Sequence, residues 1–267
     1  MLREVRIRND RGTIGSRSMV TVSLLLVLVA LAGITAVTLA WFSISNHTRV
    51  YSMDMDVTTG PSLRFDLDAH EDFADYKQTL GMAEIFGRIR RELGYDPAET
   101  PLDPVTTTDG QTFTLRNGTV KEAREGKYLT FTLHFMATED MQVHLSTAHS
   151  REGEDGTSVT SRVSGLPQAM RVSFTCGGQT AVYDPGAGNT ARNTGKLRIF
   201  GLPAAERMIY NENSNLFHIS AYTDTPVTVH IWIEGTDEMC TNELKGGDYA
   251  IRLRFVGTDE ENVPLGG

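Results

Sequence analysis

An uncharged apolar run near the N-terminus constrains this chain more than any other feature. The run from Met19 to Phe42 has no charged side chain in 24 positions, and thirteen of them are Leu, Ile, Val or Phe. As a helix it would be about 36 Å long, which exceeds the roughly 30 Å of a bilayer hydrocarbon core. Those thirteen side chains favour insertion by about 4 to 8 kcal/mol in total. The run therefore predicts a signal or transmembrane helix over residues 19–42.

The residues on either side of this run predict its orientation and its fate. Five arginines precede it: Arg3, Arg6, Arg8, Arg11 and Arg17. Basic residues stay on the cytoplasmic side, so residues 1–18 are predicted to be a cytoplasmic n-region and the remainder to be exported. The run includes Thr38-Leu39-Ala40, which has small residues where a signal peptidase reads them. Cleavage between Ala40 and Trp41 and retention as a membrane anchor both remain open.

The exported part is strongly acidic. Residues 41–267 hold 20 basic and 32 acidic side chains, within a chain of net charge -9. Nucleic-acid binding depends on Lys and Arg that neutralise phosphates. The composition therefore argues against a nucleic-acid partner.

The pattern of apolar residues in this part predicts a sheet protein. Apolar and polar residues alternate with period two, which places them on opposite faces of a strand. The clearest runs are Tyr51 to Val57, Leu63 to Leu67, Leu129 to Phe135, Val227 to Ile233 and Ile251 to Phe255. Turn residues separate about ten such runs, without regularly alternating helices. We expect an all-β domain over residues 43–267, an antiparallel two-sheet sandwich resembling a jelly roll.

One helical insertion is expected at about residues 72–94. Ala83, Phe86, Ile89 and Leu93 recur at helical spacing, with charged residues between them. The favoured interpretation is a lid that packs on one sheet edge, and the alternative is a helix on a membrane surface.

The sequence holds no recognisable catalytic or metal-binding motif. It has no HExxH zinc pair and no GxSxG nucleophile elbow. His134 and His230 fall on the polar side of their strands, where exposure to solvent is expected. We therefore predict no enzyme activity, cofactor or metal, with a secreted hydrolase as the remaining alternative. The acidic run Glu234 to Glu238 is predicted to be a solvated turn, with calcium binding near Asp237 as the alternative.

Cys176 and Cys240 are the only thiols, and both lie in the exported part. An oxidising exterior permits a disulfide between them, which would stabilise the fold by roughly 4 kcal/mol in the chain-entropy model. Two separate thiols are the alternative, and the sequence does not decide between them.

Two segments carry a resemblance to a known family. The segment from Ala36 to Ser43, AVTLAWFS, resembles the processing region of TasA and camelysin-like secreted proteins of Gram-positive bacteria. The segment from Thr225 to Asp237, followed by Cys240-Thr241-Asn242, is similar to the closing strands of relatives in Clostridia-type bacteria. Camelysin-like proteins have also been classed as metallopeptidases, a label that no zinc motif supports here.

The resemblance implies an exported structural protein of the cell surface or biofilm matrix. Its implied partners are a dedicated signal peptidase and further copies or other matrix or surface proteins. The apolar run itself predicts contact with the membrane before or without cleavage. Some relatives polymerise by donating their mature N-terminal strand to the next subunit. The candidate donor here has Tyr51, Met53, Met55 and Val57 on one face. The alternative for this segment is an ordinary first strand that pairs within its own molecule. The alternative function for the whole protein is a membrane-anchored extracellular binding module.

Overall fold

The computed structural model describes residues 22, 24–30, 48–57, 62–147, 156–203, 209–241, 244 and 246–265. The chain divides into two units, Met1–Ser45 and Asn46–Gly267. In the first unit, residues 24–30 are helical and exposed. The predicted n-region and the rest of the predicted 19–42 helix, apart from residue 22, lie outside the described residues. No helix in the described ranges is long and apolar enough to cross a membrane.

The second unit is built mainly of strands. Sixteen are described: β1 Arg49–Val57, β2 Leu63–Asp66, β3 Thr79–Gly81, β4 Pro104–Val105, β5 Phe113–Thr114, β6 Val120–Lys121, β7 Leu129–Ala137, β8 Met141–Leu145, β9 Ser158–Ser161, β10 Met170–Cys176, β11 Gln179–Tyr183, β12 Ala191–Thr194, β13 Leu197–Phe200, β14 Asn215–Ile219, β15 Thr225–Glu234 and β16 Asp248–Thr258. The helices are α1 Met82–Leu93 and α2 Leu166–Ala169, with single 3₁₀ turns at Phe73–Asp75 and Ala123–Glu125.

The strands form two large sheets that pack face to face. The six-stranded sheet has the order β14-β8-β16-β1-β3, with β9 also paired to β16. The eight-stranded sheet has the order β12-β13-β11-β10-β15-β7-β2, with β4 also paired to β15. Strands β5 and β6 form a separate hairpin. The predicted all-β sandwich is confirmed.

The core lies between the two large sheets. Phe255 of the six-stranded sheet contacts Phe65, Phe135 and Phe174 of the other, with ring centroids 5.2 to 5.8 Å apart. These rings come from the apolar positions of the alternating runs, and all four are fully buried. Burial of apolar side chains on both inner faces is the main force that holds such sheets together.

The predicted sandwich differs from the structure in strand direction. Among the described strands, β1 pairs with β16 in parallel, as do β11 with β13 and β4 with β15. Parallel pairing of β1 and β16 joins the two ends of the domain in the middle of one sheet. Period-two alternation gives no information on strand direction, so the sequence could not predict these pairs.

The helical insertion is confirmed, and its ordered helix is α1. Gly94 ends α1 in the left-handed conformation at φ 81°, three residues before Pro97. The buried residues of α1 are Ile85, Phe86 and Ile89, which belong to the main core. Phe86 and Ile89 are buried as predicted, whereas Ala83 is exposed. The helix contacts β3, the edge strand of the six-stranded sheet, as expected for a lid.

A second apolar layer covers the outer face of the eight-stranded sheet. We call residues 104–128, which hold β4, β5 and β6, the outer cover. Its Val105, Phe113 and Tyr128 form a cluster with residues of the sheet, among them Trp232. This small cluster is separate from the main core. Part of the outer face of the sheet is therefore shielded from solvent.

Candidate functional site

Strand β1 occupies a slot between β16 and β3 within its own molecule. It pairs with β16 along its whole length, and with β3 over three residues. Val50, Met53 and Met55 point into the core and are 3%, 0% and 1% exposed. The first strand of the domain is thus a central strand, and its removal would uncover both the core and the edge of β16.

The buried face of β1 differs from the predicted one at its first position. The register shifts between Val50 and Ser52, which is the signature of a β-bulge. The bulge changes the phase of the alternation, so Val50 is buried and Tyr51 is 49% exposed. Met53 and Met55 lie on the core face as expected, and Val57 is partly buried against the core. The prediction that Tyr51 shares this face is therefore wrong.

Opposite charges fix β1 against β16 on the outer side of the sheet. Asp54 lies beside Arg252 in the register, and Asp56 lies beside Arg254. Arg254 Nη2 contacts Asp56 Oδ2 at 2.8 Å, and both side chains are largely shielded from solvent. A shift of one residue would move all these carboxylates to the core face. The charges therefore specify the register between the two strands.

A cleft of about 460 Å³ opens on the outer face of the eight-stranded sheet. Its floor includes Val182, Leu197 and Ile199, and its walls include Thr106 to Thr108 from the outer cover and Thr236 to Glu238 after β15. The lining combines an aliphatic floor with hydroxyl and charged groups. Ligand pockets commonly combine an apolar surface with a few polar groups that fix the orientation of the ligand.

Arg171 organises one end of this cleft. Its guanidinium contacts the Asp237 carboxylate and lies 3.2 Å from Asp184 Oδ1. It also donates to the carbonyl oxygens of Gln168 and Met170 at 2.6 and 2.7 Å. Burial raises the pKa of Asp184 although Arg171 and Arg192 act in the opposite direction. Arg171 thus joins β10 to two turns and is fully engaged within the fold.

The acidic run predicted as a solvated turn is partly committed to the same network. Glu234 accepts hydrogen bonds from Trp232 Nε1 at 3.0 Å and from the Thr236 backbone at 3.1 Å. Asp237 binds Arg171 and caps the Met239 N–H at 2.8 Å. Within the described ranges, no group of three or more His, Cys, Asp or Glu side chains is arranged to hold a metal.

His230 is buried, which contradicts the prediction that it faces solvent. It is 8% exposed and lies under the Phe113 and Tyr128 rings, 5.1 and 5.8 Å away between centroids. Burial lowers its pKa to about 4. Its Nδ1 and the Oγ of its cross-strand neighbour Ser173 have no hydrogen-bond partner among the described residues. His230 is buried because the outer cover packs on this face of the sheet. The alternation of residues within one strand cannot reveal such a second layer.

His134 belongs to a polar network at one end of the sandwich. Its Nδ1 lies 2.9 Å from Asp224, which also accepts a 2.8 Å hydrogen bond from the Tyr76 hydroxyl. Burial, followed by the hydrogen bond to Asp224, raises the pKa of Tyr76 to about 12. A phenol with such a pKa is a poor nucleophile at neutral pH. This network fixes the loop between β14 and β15 and offers no obvious reaction chemistry.

His144 is the most deeply buried histidine of the described part, at 0% exposure. Its ring nitrogens lie 3.1 Å from Ser214 Oγ and 3.2 Å from Thr258 Oγ1. Burial lowers its pKa to about 4, so the ring is neutral at pH 7. The sequence pattern does not distinguish this residue from the other histidines. Its place in the alternation of β8, between Val143 and Leu145, gives no sign of burial on both sides.

The two cysteines are separate thiols, so the disulfide alternative does not hold in this structure. Cys176 ends β10, whose other end lies opposite Ile233 near the end of β15. Cys240 follows β15, and its N–H donates to Asp237 at 2.9 Å. The structure therefore describes two free, partly buried thiols, one at the end of β10 and one in the turn after β15.

Neither the predicted cleavage site nor comparison with known proteins tests the predicted family. Ala40 and Trp41, the predicted cleavage site, lie outside the described residues. Comparison of the chain with protein-family models, with curated proteins and with solved structures finds no match. Function is therefore argued from the geometry.

Proposed function

We propose that this chain is an exported structural protein of the cell surface or biofilm matrix, and that its copies assemble by exchanging strand β1. The observation that carries the proposal is the position of β1. It is the first strand of the domain, yet it fills a central slot whose other strands come from elsewhere in the chain. A strand in such a slot can be supplied by a second copy with the same contacts.

The apolar segment supports the export part of the proposal. Six residues separate the 19–42 run from β1, so cleavage near Ala40 would leave β1 close to a free N-terminus. Residues 58–62 join β1 to β2, and they include a glycine at 60. When a strand near a chain end moves to another copy, few other residues of the chain have to move with it.

The ion pair between Asp56 and Arg254 provides a direct test of exchange. The substitution Asp56→Arg or Arg254→Asp alone places like charges together, both within one molecule and between identical copies. In a mixture of the two variants, Arg at 56 of one copy meets Asp at 254 of the other. The second contact, from Asp56 to Arg254, then has the native charges. Only exchange between copies allows this compensation.

The experiment uses protein purified from the medium of producing cells and examined by negative-stain electron microscopy. We expect filaments from the wild type, few from either single variant, and recovery when the two variants are mixed during assembly. The double variant in one chain is the control for folding, because its charges match again. A wild type that stays monomeric at all concentrations, or a mixture no better than the single variants, would overturn the proposal.

The cleft beside Arg171 favours a second function, that of a membrane-anchored extracellular binding module. Its threonine hydroxyls and charged walls suit a polar ligand. This function requires the N-terminal helix to be retained. Mass spectrometry of the natural protein separates the two proposals, because a chain that begins at Trp41 excludes the anchor and an intact N-terminus excludes the processed filament.

A further inference from the structure

Tyr222 has a backbone conformation that an aromatic residue rarely adopts. It lies in the turn between β14 and β15, with φ 52°. In this left-handed region the Cβ atom crowds the following carbonyl oxygen, so residues other than Gly, Asn and Asp are disfavoured. The fold therefore holds a strained tyrosine where a glycine or an asparagine would be relaxed.

Hydrogen bonds on both sides maintain this conformation. The Tyr222 N–H donates to the Ala137 carbonyl at 2.7 Å, and the Ala221 N–H donates to the Asp140 carboxylate at 2.7 Å. On the other side, Asp224 accepts from Tyr76 and from His134. The turn is thus anchored to the loop between β7 and β8 and to the polar network. Its geometry is fixed before any partner arrives.

The Tyr222 side chain contributes little packing that would offset this backbone strain, because it is 67% exposed. In the part of the chain that the structure describes, its ring makes no stacking contact with another aromatic ring and no contact with a cation. A strained residue whose side chain is mostly exposed points to a role outside the fold.

We propose that Tyr222 is an aromatic platform that stacks against a neutral polysaccharide. A rigidly held exposed ring suits the flat apolar face of a sugar, and the carboxylate of Asp140, which accepts from the neighbouring Ala221 N–H, can also accept from the hydroxyl groups of a sugar. This carboxylate, in a chain of net charge -9, disfavours anionic polymers. This inference does not depend on strand exchange, because a monomer can present the ring equally well.

Affinity electrophoresis tests this assignment. The full-length protein, in a polyoxyethylene detergent that carries no sugar, is run in native gels containing dextran, yeast mannan or hydroxyethyl cellulose. A gel with polygalacturonate is the anionic comparison. We expect the wild type to be retarded in at least one neutral gel and not in polygalacturonate. Tyr222→Phe should keep the retardation, and Tyr222→Asn should lose it.

Thermal unfolding separates this role from a structural one. Because Asn tolerates the left-handed region, Tyr222→Asn should have a Tm equal to or above that of the wild type. Asn262 is the other described residue besides glycine with positive φ, at 62°, and it has no aromatic ring. Asn262→Gly is therefore the control, and its retardation should equal that of the wild type.

Several outcomes would overturn the assignment. They are a wild type retarded in no neutral gel, a Tyr222→Asn variant retarded as strongly as the wild type, and a lower Tm for that variant. A variant that alters only self-association would place the ring against another copy of the chain, which also rejects the polysaccharide. A protein that forms no filaments but binds a neutral gel through Tyr222 would uphold this inference and reject strand exchange.

Discussion

His144 Nε2 lies 3.2 Å from Thr258 Oγ1, and this contact holds a fully buried imidazole against the end of β16. Hydroxyl groups flank both ring nitrogens, so the environment suits the neutral ring and not the imidazolium ion. The consequence is a dependence of stability on pH that can be given a sign and a range.

The first prediction is a loss of stability in mild acid. His144 has a pKa of about 4 in the folded protein, against a reference value of 6.5. Between these values the unfolded chain binds the proton and the folded chain does not, so the free energy of unfolding falls as the pH drops from 6.5 to about 4. The loss from this residue approaches about 3 kcal/mol. Urea unfolding at several pH values, followed by tryptophan fluorescence, measures it.

The substitution His144→Gln isolates this contribution. Glutamine can keep a hydrogen bond to Ser214 or Thr258 but does not titrate, so its stability should depend less steeply on pH. His218 is exposed, and His218→Gln is the matched control with an unchanged slope. Equal slopes for wild type and His144→Gln would show that His144 does not cause the acid sensitivity.

The second prediction concerns Arg171. Replacement by Met removes the charge that Asp184 and Asp237 share, and leaves two carboxylates without it in a largely buried network. The expected loss is about 3 to 5 kcal/mol in the free energy of unfolding. Arg192 also faces Asp184, but its side chain is 60% exposed, so Arg192→Met should cost less than about 1 kcal/mol. Similar losses for both variants in urea unfolding would contradict this account.

The third prediction concerns the thiols. Burial raises the pKa of both Cys176 and Cys240, so the reactive thiolate is scarce at neutral pH. We expect iodoacetamide to label them slowly in the folded protein and rapidly in urea, without prior reduction. A reducing agent should leave the Tm unchanged. A mass two daltons lower before reduction, together with a lower Tm after it, would indicate a disulfide instead.

The sequence could predict the inner faces of the sandwich because each carries a periodic signal. Leu129, Phe131, Leu133 and Phe135 alternate with polar residues, and all four are buried in β7. The helix α1 likewise follows from the spacing of its apolar residues. In both cases the information lies within about ten neighbouring residues, where the burial pattern repeats the sequence pattern.

The outer face and the strand order could not be predicted in this way. Trp232 lies in the polar phase of β15 but is 1% exposed, since the outer cover packs on it. A large aromatic residue in the wrong phase was the one available sign of a second layer. The pairing of β1 with β16 depends on contacts between distant segments, and the strain at Tyr222 depends on a turn held by Ala137 and Asp140.

The parallel pairing of β1 with β16 also sets an order of events during biosynthesis. Asp56 and Arg254 are 198 positions apart, so the earliest strand to leave the ribosome must wait for the latest before it gains its main neighbour. Throughout that interval β1 is without its lasting partner. During this period, β1 of a nascent chain can pair either with its own β16 or with β16 of a neighbouring copy. The local concentration of copies would determine which pairing forms.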